Sequence, residues 1–186
     1  CDLTCFDNDG GDCCAVYDEC GICEGPGAVV ECFNGSLVCN ISDCQSYFEP
    51  AYLMYSENPY LAMNVTTLSA VLEGIDLETG DEIGIFDGDI CVGAGIVDGT
   101  ITTGNMLPIE ASAQDSDWPS GTGFTPGNPI SYRYFDASEG LEITSVEADY
   151  LQGESVFIVQ GSAYINLYGE IEVDVSGCMD ILACNY

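Results

Sequence analysis

The sequence predicts an all-β protein, in which a disulfide-rich module with little regular secondary structure precedes an antiparallel β-sandwich. Nine of the twelve cysteines lie within residues 1–44, a segment with almost no large apolar residues to form a core. In residues 48–176, short runs of alternating apolar residues are separated by Gly, Asp, Pro and Asn, a pattern typical of strands joined by turns. No segment of useful length has the period of a helix. Three parts are therefore expected: the cysteine-rich module (1–47), the sandwich (48–176) and a cysteine-containing tail (177–186).

The charge of the chain excludes several classes of partner and chemistry. The 186 residues include 32 Asp and Glu, a single Arg and neither Lys nor His, for a formal net charge of -31. Nucleic acids and anionic membranes are bound mainly through Lys and Arg. Because the chain has only one such residue, neither is an expected partner. No apolar run is long enough to span a bilayer. Because most catalysis near neutral pH uses His, Lys or Cys and no catalytic constellation is recognisable, we do not expect an enzyme.

The cysteines are expected to form disulfides rather than a zinc site. Histidine is absent, and the spacing around Cys20 and Cys23 is not that of a paired zinc site. Disulfides indicate an oxidising compartment, here the extracellular space or cell surface. The amino-terminal segment holds an odd number of cysteines, so at least one must pair outside it or stay free. The disulfide candidates are Cys1, Cys5, Cys13, Cys14, Cys20, Cys23, Cys32, Cys39, Cys44, Cys91, Cys178 and Cys184.

Two clusters of acidic residues on turns predict calcium sites. The run FDNDGGD places Asp7, Asp9 and Asp12 around two glycines, which let the backbone wrap around an ion. Calcium accepts six to eight oxygen ligands in irregular geometry. The run lacks the distal Glu of an EF-hand loop, and the alternative is an exposed acidic turn. The second cluster, Asp87 and Asp89 in FDGD near other acids, has hairpin chemistry as its alternative.

Two motifs resemble repeats of a known group of proteins. The run YDECGICEGPG (residues 17–27) and the final run GCMDILACNY are similar to repeats of large secreted surface proteins of marine and aquatic bacteria. The resemblance implies secretion and surface display, with the carboxyl-terminal repeat continuing to a further cysteine in that family. The run GDEIGIFDGDICVGAGIV also resembles one hairpin of β-sandwich modules in secreted bacterial proteins, which implies fold rather than activity.

Eight strands are predicted in the sandwich, at residues 63–72, 82–86, 90–97, 106–113, 130–135, 141–149, 155–160 and 163–175. Alternation places Ile90, Val92, Ala94 and Ile96 on one face, with Cys91, Gly93, Gly95 and Val97 on the other. The last and longest run, 163–175, is the expected site of strand addition between copies.

A loop at residues 111–129 and a single cation complete the candidate sites. Trp118 and Phe124 in this loop are aromatic side chains that can stack on a sugar or form an interface; the alternative is that Trp118 caps the core. Arg133, between Tyr132 and Tyr134, is expected in an ion pair shielded by these tyrosines. Three sequons, at Asn34, Asn40 and Asn64, are acceptors for glycosylation in a eukaryotic secretory pathway.

Two functions are compatible with these features. The first is a structural subunit of an extracellular filament, sheath or surface layer, stabilised by disulfides and calcium, whose partners are copies of itself. The scarcity of Lys and Arg favours it, because trypsin-like proteases would have one site. The second is a secreted carbohydrate-binding or adhesive sandwich with glycans as partners.

Overall fold

The computed structural model describes residues 16–172, and its packed β-sheets confirm the all-β sandwich with a disulfide-bonded amino-terminal module. The strands are β1 (Val30–Glu31), β2 (Leu37–Val38), β3 (Met63–Leu72), β4 (Ile75–Asp76), β5 (Glu82–Asp87), β6 (Ile90–Ile96), β7 (Leu107–Ala111), β8 (Ser131–Asp136), β9 (Leu141–Ile143), β10 (Ser145–Gln152) and β11 (Ser162–Glu170). Two short 3-10 helices, Ile41–Asp43 and Ala51–Met54, are the helical elements of the described residues.

The sandwich consists of two sheets. Sheet 1 has the order β10-β11-β3-β4, with β7 pairing β3 on the same side as β4, and sheet 2 has the order β6-β5-β8-β9. Neighbouring strands are antiparallel except β11 and β3, which run parallel, so sheet 1 is mixed rather than purely antiparallel. Only Thr144 separates β9 from β10, and the chain passes there from sheet 2 to sheet 1. The single strand predicted at 141–149 is therefore two strands.

The core lies between the two sheets and is built by the inward-facing residues of each strand. In β11 the inward residues alternate with exposed ones, so that Ile165 and Leu167 have no exposed surface. Ile83 and Ile85 of β5 are equally buried on the other side. The segment predicted as a strand at 155–160 is a loop instead. Its Phe157 fills the core and stacks on Phe124 with ring centroids 4.5 Å apart, so its apolar residues reflect packing rather than a strand.

A β-bulge changes the predicted faces of β6. Ile85 pairs with Gly93 and Phe86 with Cys91, which leaves Val92 as the extra residue. One extra residue reverses the alternation that follows it. Beyond Val92, Ala94 therefore packs on the outer face together with Cys91, whereas Val92 and Val97 lie in the core. The prediction that Ile90, Val92, Ala94 and Ile96 share one face is wrong for this reason.

The predicted strand-addition site is also wrong, because β11 is an interior strand. It is hydrogen-bonded to β10 on one side and to β3 on the other over most of its length, so its backbone groups already have partners. Among the described residues, the unpaired edge of sheet 1 next to β11 belongs to β10. The part of the predicted run beyond Glu172 lies outside the described residues.

The described part of the amino-terminal module is held together by disulfides. Cys20 bonds to Cys39 and Cys32 to Cys44, with Cα atoms 5.4 and 5.5 Å apart, and these bonds bracket the small β1–β2 hairpin. Cys23 is also disulfide-bonded. The prediction of disulfides is confirmed for these five cysteines. The candidates at Cys1, Cys5, Cys13, Cys14, Cys178 and Cys184, and the calcium site predicted at Asp7, Asp9 and Asp12, lie outside the described residues.

Candidate functional site

The candidate site is the junction between the module and the outer face of sheet 2, where residues 46–48 lie on strand β5. At its centre the Glu82 carboxylate, 1% exposed, accepts three hydrogen bonds from this segment. The donors are the Tyr47 amide (2.6 Å), the Phe48 amide (3.0 Å) and the Ser46 hydroxyl (2.7 Å). A buried carboxylate is tolerated only when such donors replace its water. Glu82 therefore anchors the chain that links the module to the sandwich.

Aromatic rings surround this anchor. Tyr47 stacks on Phe135 with centroids 3.8 Å apart, and Phe33 from the β1–β2 hairpin meets Phe135 edge-on at 5.2 Å. Phe48 meets Phe86 edge-on at 5.4 Å. Gly84 makes room for Phe48, because a Cβ atom there would lie 3.0 Å from the Phe48 ring and 2.5 Å from the Phe86 ring. The junction is thus a second, smaller hydrophobic cluster on the outside of sheet 2.

Arg133 closes one side of the junction, and the predicted ion pair is confirmed. Its guanidinium lies 3.0 Å from the Asp89 carboxylate and 3.1 Å from the Glu142 carboxylate, and 4.1 Å above the Phe86 ring. The prediction that the flanking tyrosines shield this pair is wrong. Side chains alternate along a strand, so Tyr132 and Tyr134 both point into the core, on the opposite face from Arg133. Glu142 also accepts the Tyr47 hydroxyl at 2.9 Å, and this hydrogen bond raises the pKa of that hydroxyl. The carboxylate thus joins the cation to the module.

Cys91 packs against this cluster as a free thiol, so the prediction that it forms a disulfide is wrong. Its Sγ donates to the Gly93 carbonyl at 3.5 Å, and burial raises the pKa of the thiol to about 12. Nucleophilic and metal-binding cysteines react as thiolates, and a thiol with this pKa stays protonated. Cys91 therefore contributes to the junction as a small apolar side chain.

The motif YDECGICEGPG is organised by its own acidic residues. The Asp18 carboxylate accepts the amides of Ile22 (2.8 Å), Gly27 (2.9 Å) and Cys20 (3.0 Å), and the hydrogen bond from Ile22 leads the causes that lower its pKa. Gly25 has no room for a side chain, since a Cβ atom would overlap the Asp18 carboxylate. The acids and glycines of the motif thus shape a loop around two disulfide-bonded cysteines.

The acids of the second predicted calcium site make separate contacts. Asp87 accepts the Thr125 amide at 2.8 Å and the Asn128 side-chain amide at 2.8 Å, which ties the end of β5 to the loop before β8. Asp89 pairs with Arg133. The nearby Asp81, 5% exposed, accepts the Ala137 and Glu78 amides, and its burial raises its pKa. Within residues 16–172 no group of three or more acidic or cysteine side chains is placed to hold a metal ion, so calcium binding stays a prediction.

The two aromatic residues of the long loop have different roles. Phe124 has no exposed surface and packs in the core, so it is not available to stack on a sugar. Trp118 is 40% exposed, and its ring lies 6.0 Å from that of Tyr55. Trp118 alone of the predicted pair therefore remains a surface aromatic. The sequon residues Asn34, Asn40 and Asn64 are all exposed.

Sequence reasoning missed Glu82 and Asp18 as organising residues. Both were counted among 32 acids with no feature to separate them. A signal did exist at Glu82. It is the first residue of the predicted strand EIGIF, and the four residues that follow it there are all apolar or glycine. An acid in such a strand is expected to be buried with donors around it.

No helix of the described residues is both long and apolar enough to cross a membrane. In comparisons with family models, with curated proteins and with solved structures, the chain matched none of them.

Proposed function

We propose that this chain is a structural subunit of an extracellular filament, sheath or surface layer, assembled from copies of itself and stabilised by disulfides and calcium. The cysteine count is the main observation in favour. Cys91 is free, which leaves eleven of the twelve cysteines for disulfides. An odd number cannot pair completely within one copy of these 186 residues. A disulfide between copies would use the cysteine that is left over.

The junction supports the same proposal. A subunit that carries load needs a fixed geometry between its parts, and here a buried carboxylate, stacked rings and an ion pair join the module to the sandwich. The disulfides of the module suit an oxidising extracellular compartment. The sole site for trypsin-like proteases, Arg133, is held in two ion pairs. The unpaired edge of β10 offers a place for strand addition.

Electron microscopy and disulfide mapping test the proposal. Native material is imaged with and without a calcium chelator and a reductant, and we expect ordered assemblies that loosen under one or both treatments. Material assembled from a mixture of unlabelled and 15N-labelled chains is then digested without reduction. Disulfide-linked peptides with one labelled and one unlabelled member are expected. Monodisperse monomers under every condition, with no mixed-label peptide, would refute the structural role.

A second candidate function, a secreted carbohydrate-binding or adhesive module, is favoured by the exposure of Trp118 beside Tyr55. Aromatic rings on a surface stack on sugar rings. A glycan array with the wild-type chain and Trp118→Ala tests this function. Loss of binding in the variant supports it, whereas unchanged binding, or no binding by either protein, argues against it.

A further inference from the structure

Among residues 16–172, the outer face of sheet 1 is exposed, whereas residues 46–48 lie on the outer face of sheet 2. On its central strand β11, the outward residues Tyr164 and Tyr168 are 37% and 46% exposed, with Asn166 half-buried between them. The two tyrosines lie four residues apart, about 13 Å along a strand. Both rings therefore present apolar surface to solvent on the same side of one interior strand.

Carboxylates accompany the two rings. Glu147 of β10 lies directly across from Tyr168, and Asp149 lies across from Asn166, and both acids are exposed. Directly opposed residues of neighbouring strands point to the same face. The only cation of the chain, Arg133, lies on β8 in the other sheet and is already paired with two acids. The charge on this face is therefore not balanced by any side chain of the protein.

We propose that this face, which we call the tyrosine face (Tyr164, Asn166, Tyr168, Glu147 and Asp149), binds a polysaccharide of amino sugars. Tyrosine rings present an apolar surface for stacking and attract ammonium groups through their π electrons. The two carboxylates pair with the ammonium groups, and Asn166 offers an amide to the hydroxyls. Charge complementarity selects a cationic chain over a neutral or an anionic one.

A basic peptide fits the same charges less well. Peptides bind proteins mainly by adding to a sheet edge or by filling a groove. The tyrosine face lies over an interior strand, whose backbone groups are already bonded on both sides. A flat ring system can rest on such a surface, whereas an extended peptide finds no backbone partner there. The inference does not depend on assembly, so its failure would leave the structural role unaffected.

Isothermal titration calorimetry with a glucosamine hexamer tests the tyrosines, at mildly acidic pH and about 0.15 M salt. The double variant Tyr164→Ala/Tyr168→Ala keeps every charge, and we expect its dissociation constant to rise about tenfold. The control Tyr17→Ala removes an exposed tyrosine, 60%, from the amino-terminal module and should bind normally. If the double variant binds as tightly as the wild type, the attraction is merely that of a polyanion for a polycation and the proposal is wrong.

A second pair of variants tests the acids and guards against misfolding of the tyrosine variant. Glu147→Gln/Asp149→Asn should weaken binding several-fold more than Asp117→Asn/Glu154→Gln, which removes the same charge from exposed positions outside the tyrosine face. Circular dichroism verifies the fold of each variant. Equal weakening by both pairs overturns the proposal.

Two further ligands test the chemical class. The fully N-acetylated hexamer should bind much more weakly, because its amines are no longer charged. Hexalysine should lose less affinity than the glucosamine hexamer in the tyrosine double variant, because it has no sugar rings to stack on the tyrosines. Equal affinity for the N-acetylated hexamer, or equal dependence of hexalysine on the tyrosines, assigns the face to a neutral glycan or a basic peptide and refutes the proposal.

Discussion

Removing the negative charge of Glu82 should weaken the junction by a predictable amount. In Glu82→Gln one oxygen still accepts the Phe48 amide and the Ser46 hydroxyl. The side-chain amide then faces the Tyr47 amide, so that two donors meet where a bond of 2.6 Å existed. Loss of one hydrogen bond to a buried charged group costs about 2 kcal/mol. Glu82→Ala leaves both backbone donors without a partner and should cost about 4 kcal/mol.

Urea unfolding at fixed pH measures the global effect, and hydrogen exchange measures the local one. If the junction opens separately from the sandwich, the Tyr47 amide should exchange about thirtyfold faster in Glu82→Gln, which corresponds to about 2 kcal/mol. The control is Glu154→Gln, an exposed acid whose carboxylate makes no hydrogen bond in the structure. It is needed because the loss of any negative charge relieves repulsion in a chain of net charge -31.

Equal behaviour of the two variants would contradict the role of Glu82. If Glu82→Gln and Glu154→Gln have the same free energy of unfolding and the same Tyr47 exchange rate, the buried carboxylate does not anchor the module. Faster exchange confined to the Tyr47 and Phe48 amides, with exchange in the sandwich unchanged, would show that the junction opens as a local unit. Faster exchange in both the junction and the sandwich would show that the two unfold together.

Three other predictions concern the same region. Gly84→Ala should cost about 1–3 kcal/mol of unfolding free energy, because its Cβ would meet the Phe48 and Phe86 rings. Gly104→Ala is the control, because its φ, like that of Gly84, is not positive and its Cβ would make only an ordinary contact. Because burial raises the pKa of Asp81, its contribution to stability is fully present below its ordinary pKa and is lost as pH rises through the raised value. The urea midpoint of unfolding should therefore fall less between acidic and neutral pH in Asp81→Asn than in the wild type. An equal fall in the two proteins would contradict this. With a pKa of about 12, native Cys91 should react with a maleimide on the order of a thousandfold more slowly than an ordinary thiol, and mass spectrometry of labelled native and unfolded protein checks it.

Periodicity along the chain was enough to locate most strands. The strand predicted at 63–72 coincides with β3. The strand predicted at 82–86 is one residue shorter than β5, and the one predicted at 130–135 is displaced by one residue from β8. These strands face a core on one side, so their apolar alternation is strong. The run at 155–160 failed because apolar residues in a loop, such as Phe157, can fill a core without forming a strand.

The details of each site needed the structure. The bulge at Val92 exchanges the faces of the residues that follow, and no local pattern announces it. Asp87 and Asp89 look equivalent in the sequence, yet one binds a loop and the other binds Arg133. Which acid meets which donor depends on strand pairing between distant segments, so it is not encoded in spacing along the chain.

The sequence by itself determined the class of this protein: a strongly acidic, all-β chain with a disulfide-bonded amino-terminal module and an ion-paired single arginine. These properties follow from composition and local periodicity, which persist whatever the topology. Only the tertiary structure decided that β11 is an interior strand, that Glu82 anchors the module and that the outer face of sheet 1 is exposed within residues 16–172. Each of these depends on the order of strands in a sheet and on which face another segment covers, and long-range packing alone sets that order.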